Sequence, residues 1–209
     1  SSNPNAMSSE RLFTQWSGKG KPPAKIDWDG KSTRGELVEA ATDYPFKFVA
    51  HDALGNSTTV SGVIAVDVLV IRDGDRLKIK IPSIVFRANY ADFVGLSSDI
   101  VARNEKVVAR VAQILNKFPD YRILIEGHAN NVGKMLGYPQ AKIDAEETRE
   151  LIPLSAGRAE LVRTMLVKYG VDARRLSGEG LGSSKPVVSF SDVENRWKNR
   201  RVEFVLIKN

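Results

Sequence analysis

At Leu69 the hydrophobic pattern changes from strand-like runs alone to strand-like runs alternating with helical ones, and this change limits the fold more than any other feature. Val68 to Arg72 and Arg76 to Pro82 flank Asp73-Gly74-Asp75, a turn suited to a hairpin. Ile84 to Phe86 reads as a short apolar strand. Ser97 or Ser98 can cap a helix whose Ile100, Val107, Val111, Ile114, Leu115 and Phe118 fall on one stripe, and Pro119 closes it. Arg122 to Glu126 is a strand apolar enough to be covered on both faces. A second helix is expected from Ser155 through Ala159, Val162, Leu166 and Tyr169, stopping at Gly170. Arg174 to Ser177 and Arg201 to Ile207 supply the last strands. The order strand, helix, strand, helix, strand, strand predicts a two-layer α+β domain over 69–209, with both helices on one face of a mixed sheet.

The N-terminal part has a different character. Residues 1–10 are set aside, since SSNPNA before Met7 reads as an expression remnant and a disordered tail. In the region 11–68, Tyr44, Phe46 and Phe48 alternate with Pro45, Lys47 and Val49, DALGN (52–56) is a turn, and a Val, Ile and Thr rich run returns from Ser57. This is an antiparallel β module. Trp28-Asp29-Gly30-Lys31, Gly35-Glu36-Leu37-Val38, Tyr44 and Ala50 to Asn56 resemble immunoglobulin-like modules of flagellar hook-capping and bacterial surface proteins. The resemblance spans about 45 residues where a sandwich takes about 100, so the module is partial and the natural protein is expected to extend further N-terminally.

Composition removes several classes of function. With no cysteine and only His51 and His128 there is no disulfide framework, no thiolate nucleophile and no multi-histidine metal site. The net charge of +6 is confined to one part. Residues 1–68 hold 7 basic and 8 acidic side chains, and residues 69–209 hold 24 and 17. Apart from Arg196, Lys198, Arg200 and Arg201 the basic groups are interspersed with acids, a solvated surface more than a nucleic-acid footprint. No run reaches the roughly 18 residues of a membrane span, and any export signal is expected outside this stretch.

No catalytic constellation, metal set or cofactor motif is present. Glu126 and His128 meet at a strand end, and a hydrolase role for them is the weakest of three classes weighed. Ser155 as an N-cap would put Arg158 in the first helical turn, where free backbone N–H groups and a guanidinium suit a carboxylate. The plainer alternative pairs Arg158 with Glu126 or Asp92.

Ile125-Glu126-Gly127-His128, Leu154-Ser155-x-x-Arg158-Ala159-x-x-Val162, Tyr169-Gly170-Val171, Arg175, Gly178-Glu179-Gly180, Lys185-Pro186 and Asn199-Arg200-Arg201-Val202-Glu203 together resemble the C-terminal peptidoglycan-associated domain of the OmpA family. OmpA-family envelope proteins of spirochaetes, in which immunoglobulin-like modules precede such a domain, are similar in character. The resemblance implies non-covalent binding of peptidoglycan stem peptide, with diaminopimelate beside the second helix, in the periplasm and associated with the outer membrane. Carried over by position, Arg158 receives the ligand's carboxylate and Asn130 stands where the family has the aspartate that receives its ammonium. His128, Ala129 and Ser155 border the site.

Three departures stand at that site. His128-Ala129-Asn130 replaces His-Thr-Asp, Leu151 replaces an asparagine, and a charged insertion occupies about 137–153. The expected function is therefore a non-catalytic envelope protein that binds peptidoglycan, with diaminopimelate binding altered, a different stem-peptide residue taken, or ligand lost. The alternative is a binding-inactive structural module that contacts other envelope proteins. Phe86, Tyr90 and Phe93 are expected as packing beside the groove, and Arg200 and Arg201 as solvated or salt-bridged strand positions.

Overall fold

The computed structural model describes residues 12–208 apart from 39–41, 67–69, 75, 82–83 and 88; the segment 1–10 lies outside the described residues. The chain divides into two compact units, Ser1–Val38 and Glu39–Asn209. This division falls before the expected hairpin and not after it. In the first unit Trp28 meets Phe13 and Trp16 edge to face, and an isolated bridge joins Lys31 to Leu37.

The second unit opens with β1 (Asp43–His51) and β2 (Ser57–Ala65), an antiparallel two-stranded sheet. The Asp52 carboxylate accepts from the backbone N–H groups of Leu54 and Asn56, and Gly55 takes φ +86°, which closes the turn. Asp43 receives bonds from Lys106 and Arg110. Strand alternation gives Tyr44, Phe46, Phe48, Val60 and Ile64 one shared face.

The larger sheet has the order β3-β4-β7-β5-β6. β3 (Val70–Asp73) and β4 (Arg76–Ile81) form the hairpin expected around Gly74. β4 and β5 (Tyr121–Gly127) both run antiparallel to β7 (Val202–Lys208), while β6 (Leu176–Gly180) is parallel to β5. Helix α1 (Ser98–Leu115) has Ser97 at its N-cap, as the pattern predicts, and its buried Val107, Val108, Val111 and Leu115 face the sheet. Ile79, Ile81, Ile123, Ile125, Phe204 and Leu206 complete that core. The expected α+β architecture is present, with the crossover helix between parallel strands β5 and β6.

Three local expectations change, and the insertion takes a definite form. Residues 84–86 are not a strand: Val85 is held by both amide groups of the buried Asn104 side chain, which replace a sheet ladder. Residues 173–175 form a 3₁₀ turn capped by Asp172, so β6 starts at Leu176. The insertion at 137–153 is helical. Helix α2 (Val132–Leu136) is capped by Asn131, α3 (Gln140–Glu146) follows, and a π-helical turn over Glu147–Leu151 runs directly into α4 (Ile152–Lys168). Finally, Ser155 is not an N-cap. It lies inside a helical run that begins at Gln140, because Glu147, Leu151 and Ile152 all keep right-handed helical backbone angles.

Candidate functional site

The position of Ser155 removes the helix-terminus argument for Arg158. The backbone N–H groups around Arg158 are spent inside the helix, so its guanidinium alone can offer charge. Ser155 is fully buried; its hydroxyl donates to the Ile152 carbonyl and accepts from the Gly182 N–H, fastening α4 to the loop after β6.

Arg158 is 2% exposed and pairs with neither Glu126 nor Asp92. Its Nε donates to the Tyr90 carbonyl at 3.1 Å, its Nη2 to the Arg87 carbonyl at 3.1 Å, and the group stands 5.0 Å from the Phe86 ring centroid. Burial, followed by repulsion from Arg200, lowers its pKa to about 10. A buried cation held by carbonyl dipoles alone carries an uncompensated field. The segment that supplies those carbonyls is itself tied down, since Arg87 stacks on Tyr90 and donates to the Val94 carbonyl. Phe86 and Phe93 pack at 5.4 Å, in the packing role expected of them.

Arg200 and Arg201 do not share one fate. Arg201 lies just before β7 and turns to the side away from the helices, where it donates to Glu203 at 2.7 Å. Arg200 is half-buried, its side chain has no hydrogen-bond or ion-pair partner among the described residues, and its pKa is lowered by burial and then by Arg196. The expectation of a solvated or salt-bridged residue holds for Arg201, which is salt-bridged although buried, and not for Arg200, whose side chain is half-buried and unpaired; both precede β7, which starts at Val202.

Asn130 is held by Asn199. Asn199 Oδ1 accepts from the backbone N–H groups of Val187 and Val188, which fixes its amide orientation. Its Nδ2 then donates to Asn130 Oδ1 at 3.1 Å. Asn130 thus directs its oxygen to Asn199 and keeps its NH₂ group as a donor, and no charged acceptor stands in for the family's aspartate. Ala129 and His128 are 3% and 1% exposed and shape the site from behind. Their backbone N–H groups bond Gly182 and Arg201.

On the other face of the sheet Glu126 and Glu203 are directly opposed in register, and with His128 they bring ligand-type atoms within 4.8 Å of one another. Lys185 lies 3.3 Å from Glu126, Lys78 lies 3.9 Å from Glu203, and Arg201 is bonded to Glu203. The two carboxylates are balanced by these cations, so a divalent ion would face like charges and the donor set fits a buried ion network better. Glu126 and His128 are both too buried to reach a substrate.

This network sets the response to acid. His128, facing Glu126 at 3.7 Å, and then Lys185 hold the Glu126 carboxyl at about 2, against the opposing effect of burial. Burial pushes His128 below its usual value. Both groups bind fewer protons folded than unfolded, so stability is full above the unfolded histidine pKa of about 6.5 and falls as pH drops towards 2. Urea unfolding between pH 7 and 3 is expected to show that decline. In Glu126→Gln the slope below about pH 4.5 should flatten, and an unchanged slope would assign the decline to other groups.

The insertion adds one contact that sequence reasoning missed. Glu147 accepts from the Ser183 N–H, the Ser183 hydroxyl and Asn131 Nδ2, closing the loop after β6 against the helical run. It stands about 16 Å of helix before Arg158, so it does not neutralise that group.

The fold and these contacts define a two-layer α+β domain with an unbalanced cationic corner where α4 meets the starts and ends of β7 and β5. The model of the OmpA family matches residues 93–200. The chain belongs to the OmpA family. It is 36% identical to the peptidoglycan-binding protein ArfA of Mycobacterium tuberculosis over 109 residues, 52% of this chain and 29% of that protein. It is 33% identical to the peptidoglycan-associated lipoprotein of Agrobacterium fabrum over 125 residues, 58% and 63% of the two chains. The chain thus spans less than two thirds of these relatives. Its fold is similar to the periplasmic domain of Helicobacter pylori MotB, with a TM-score of 0.52 and 24% identity, covering 67% of this chain and 78% of that one. Among the described residues no helix is long and apolar enough to cross a membrane.

Proposed function

We propose that the chain is a non-catalytic cell-envelope protein, periplasmic and associated with the outer membrane, that binds the stem peptide of peptidoglycan with the diaminopimelate mode altered. The observation that carries this reading is the buried Arg158 cation, satisfied by two carbonyls and by no carboxylate. An anion drawn to that corner gains a charge-assisted interaction that nothing in the chain supplies. The named relatives bind or associate with peptidoglycan, which supports the same choice. A second reading, a binding-inactive module that contacts other envelope proteins, is favoured by the near-complete burial of Arg158 and by the donor face of Asn130.

Sedimentation with purified sacculi separates the two. The chain is expected to co-sediment, to lose binding when an amidase strips the stem peptides, and to lose most of it in Arg158→Gln. Because Arg158 also holds the segment at 87–90, the melting temperature of that variant is measured alongside. Equal sedimentation with stripped and intact sacculi would favour the second reading.

A further inference from the structure

Arg158, Arg200 and Arg196 gather three positive charges at this corner. Arg200 has a half-buried guanidinium with no partner among the described residues, and it lies near enough to Arg158 for the two charges to repel. Its neighbour Asn199 orients Asn130, whose oxygen accepts one bond from it, so the amide turns its NH₂ away from Asn199. Arg196, on the other side of Arg200, adds a third positive charge, and its guanidinium is in contact with Met135. Ala129 offers no side-chain oxygen, and Glu147, the acid on the helical run, is engaged by Ser183 and Asn131.

A ligand end carrying an ammonium beside its carboxylate, as diaminopimelate does, would bring a further positive charge to a corner where guanidinium groups already repel one another. A ligand whose nitrogen is acylated brings the carboxylate alone. We propose that the site selects an acylated peptide carboxylate over a zwitterionic amino-acid end, with Arg200 and the Asn130 NH₂ group contacting the carboxylate and the buried Arg158 guanidinium reinforcing it from behind. The inference rests on the peptidoglycan reading for its biological ligand, but it makes Arg200, not Arg158, the direct contact. Arg200 keeps part of its surface exposed, whereas Arg158 is 2% exposed and held by the carbonyls of residues 87 and 90. Two donors on one carboxylate also leave no acceptor in the site unpaired when that ligand binds.

Calorimetric titration of the full chain tests this with three probes: N-acetyl-D-alanyl-D-alanine, the same dipeptide as its C-terminal amide, and meso-diaminopimelate. The free carboxylate is expected to bind at least about tenfold more tightly than either of the others, the size of a lost charge-assisted bond. Arg200→Gln should weaken the dipeptide by about tenfold and Arg200→Lys should restore part of it, with melting temperature measured for each variant. Asn130→Asp still accepts from Asn199 and should weaken the dipeptide while strengthening diaminopimelate. Diaminopimelate binding as tightly as the dipeptide, no response to Arg200→Gln, or no binding of any probe would overturn the proposal. In each of those cases, continued amidase-sensitive sedimentation with sacculi would leave the peptidoglycan reading standing, whereas its loss would remove that reading by itself.

Discussion

Arg201→Ala is expected to lower stability by about 3–5 kcal/mol, the cost of leaving a buried charge without its partner. Glu203 is 2% exposed and accepts from Arg201 Nε at 2.7 Å, with Lys78 at 3.9 Å as a weaker second cation. Removing the guanidinium strands a carboxylate in the centre of the sheet, opposite Glu126, another carboxylate in direct cross-strand register. Like charges in that position repel, so the two acids would lose the nearest of the cations that balance them. The double variant Arg201→Met, Glu203→Leu should recover most of the loss, because removing both members also removes the desolvation cost. Urea unfolding at pH 7 reads both. A loss below about 1 kcal/mol for Arg201→Ala would mean that the pair is solvated enough to behave as a surface bridge.

Much of the fold was legible because it is written in local rules. The stripe of Val107, Val111 and Leu115, the turn at Gly74 and the stop at Gly170 each signal through a few neighbouring residues, and each is found where expected. What was not legible depends on tertiary partners. Ser155 has the side chain of an N-cap and the sequence offers nothing against that role. Only the continuation of the helix back through a π-helical turn shows that its hydroxyl is spent on Ile152 and Gly182. Arg158 was found as the important cation for a reason that the helical run withdraws, and its real peculiarity, two carbonyl partners drawn from residues 87 and 90, depends on a loop about 70 positions away. Asn130 reads in sequence as a weakened aspartate. Its amide direction is set through Asn199 by two backbone N–H groups, and no inspection of residues 128–130 could show that its oxygen faces Asn199.

Gly127→Ala and Gly180→Ala are each expected to cost about 3 kcal/mol, at the upper end for overpacking. The two glycines are neighbours across the parallel β5·β6 pair, and α4 rests directly on both. A methyl group at Gly127 would collide with the Ser155 backbone oxygen, and one at Gly180 with the Ile152 oxygen and the Ala156 nitrogen. These are backbone atoms of a helix, which cannot rotate aside as a side chain would, so α4 itself must lift. Residues 152, 155 and 156 lie on one helical face, and a single displacement relieves both collisions. The double variant should therefore cost less than the sum by about 0.5 kcal/mol or more, the signature of sites sharing one structural response. The same displacement would pull Arg158 from the carbonyls at residues 87 and 90 and away from Arg200. Carboxylate binding should fall in both single variants although neither glycine touches the ligand. Retained affinity alongside the full stability loss would show that the cationic corner does not depend on how closely α4 sits on the sheet.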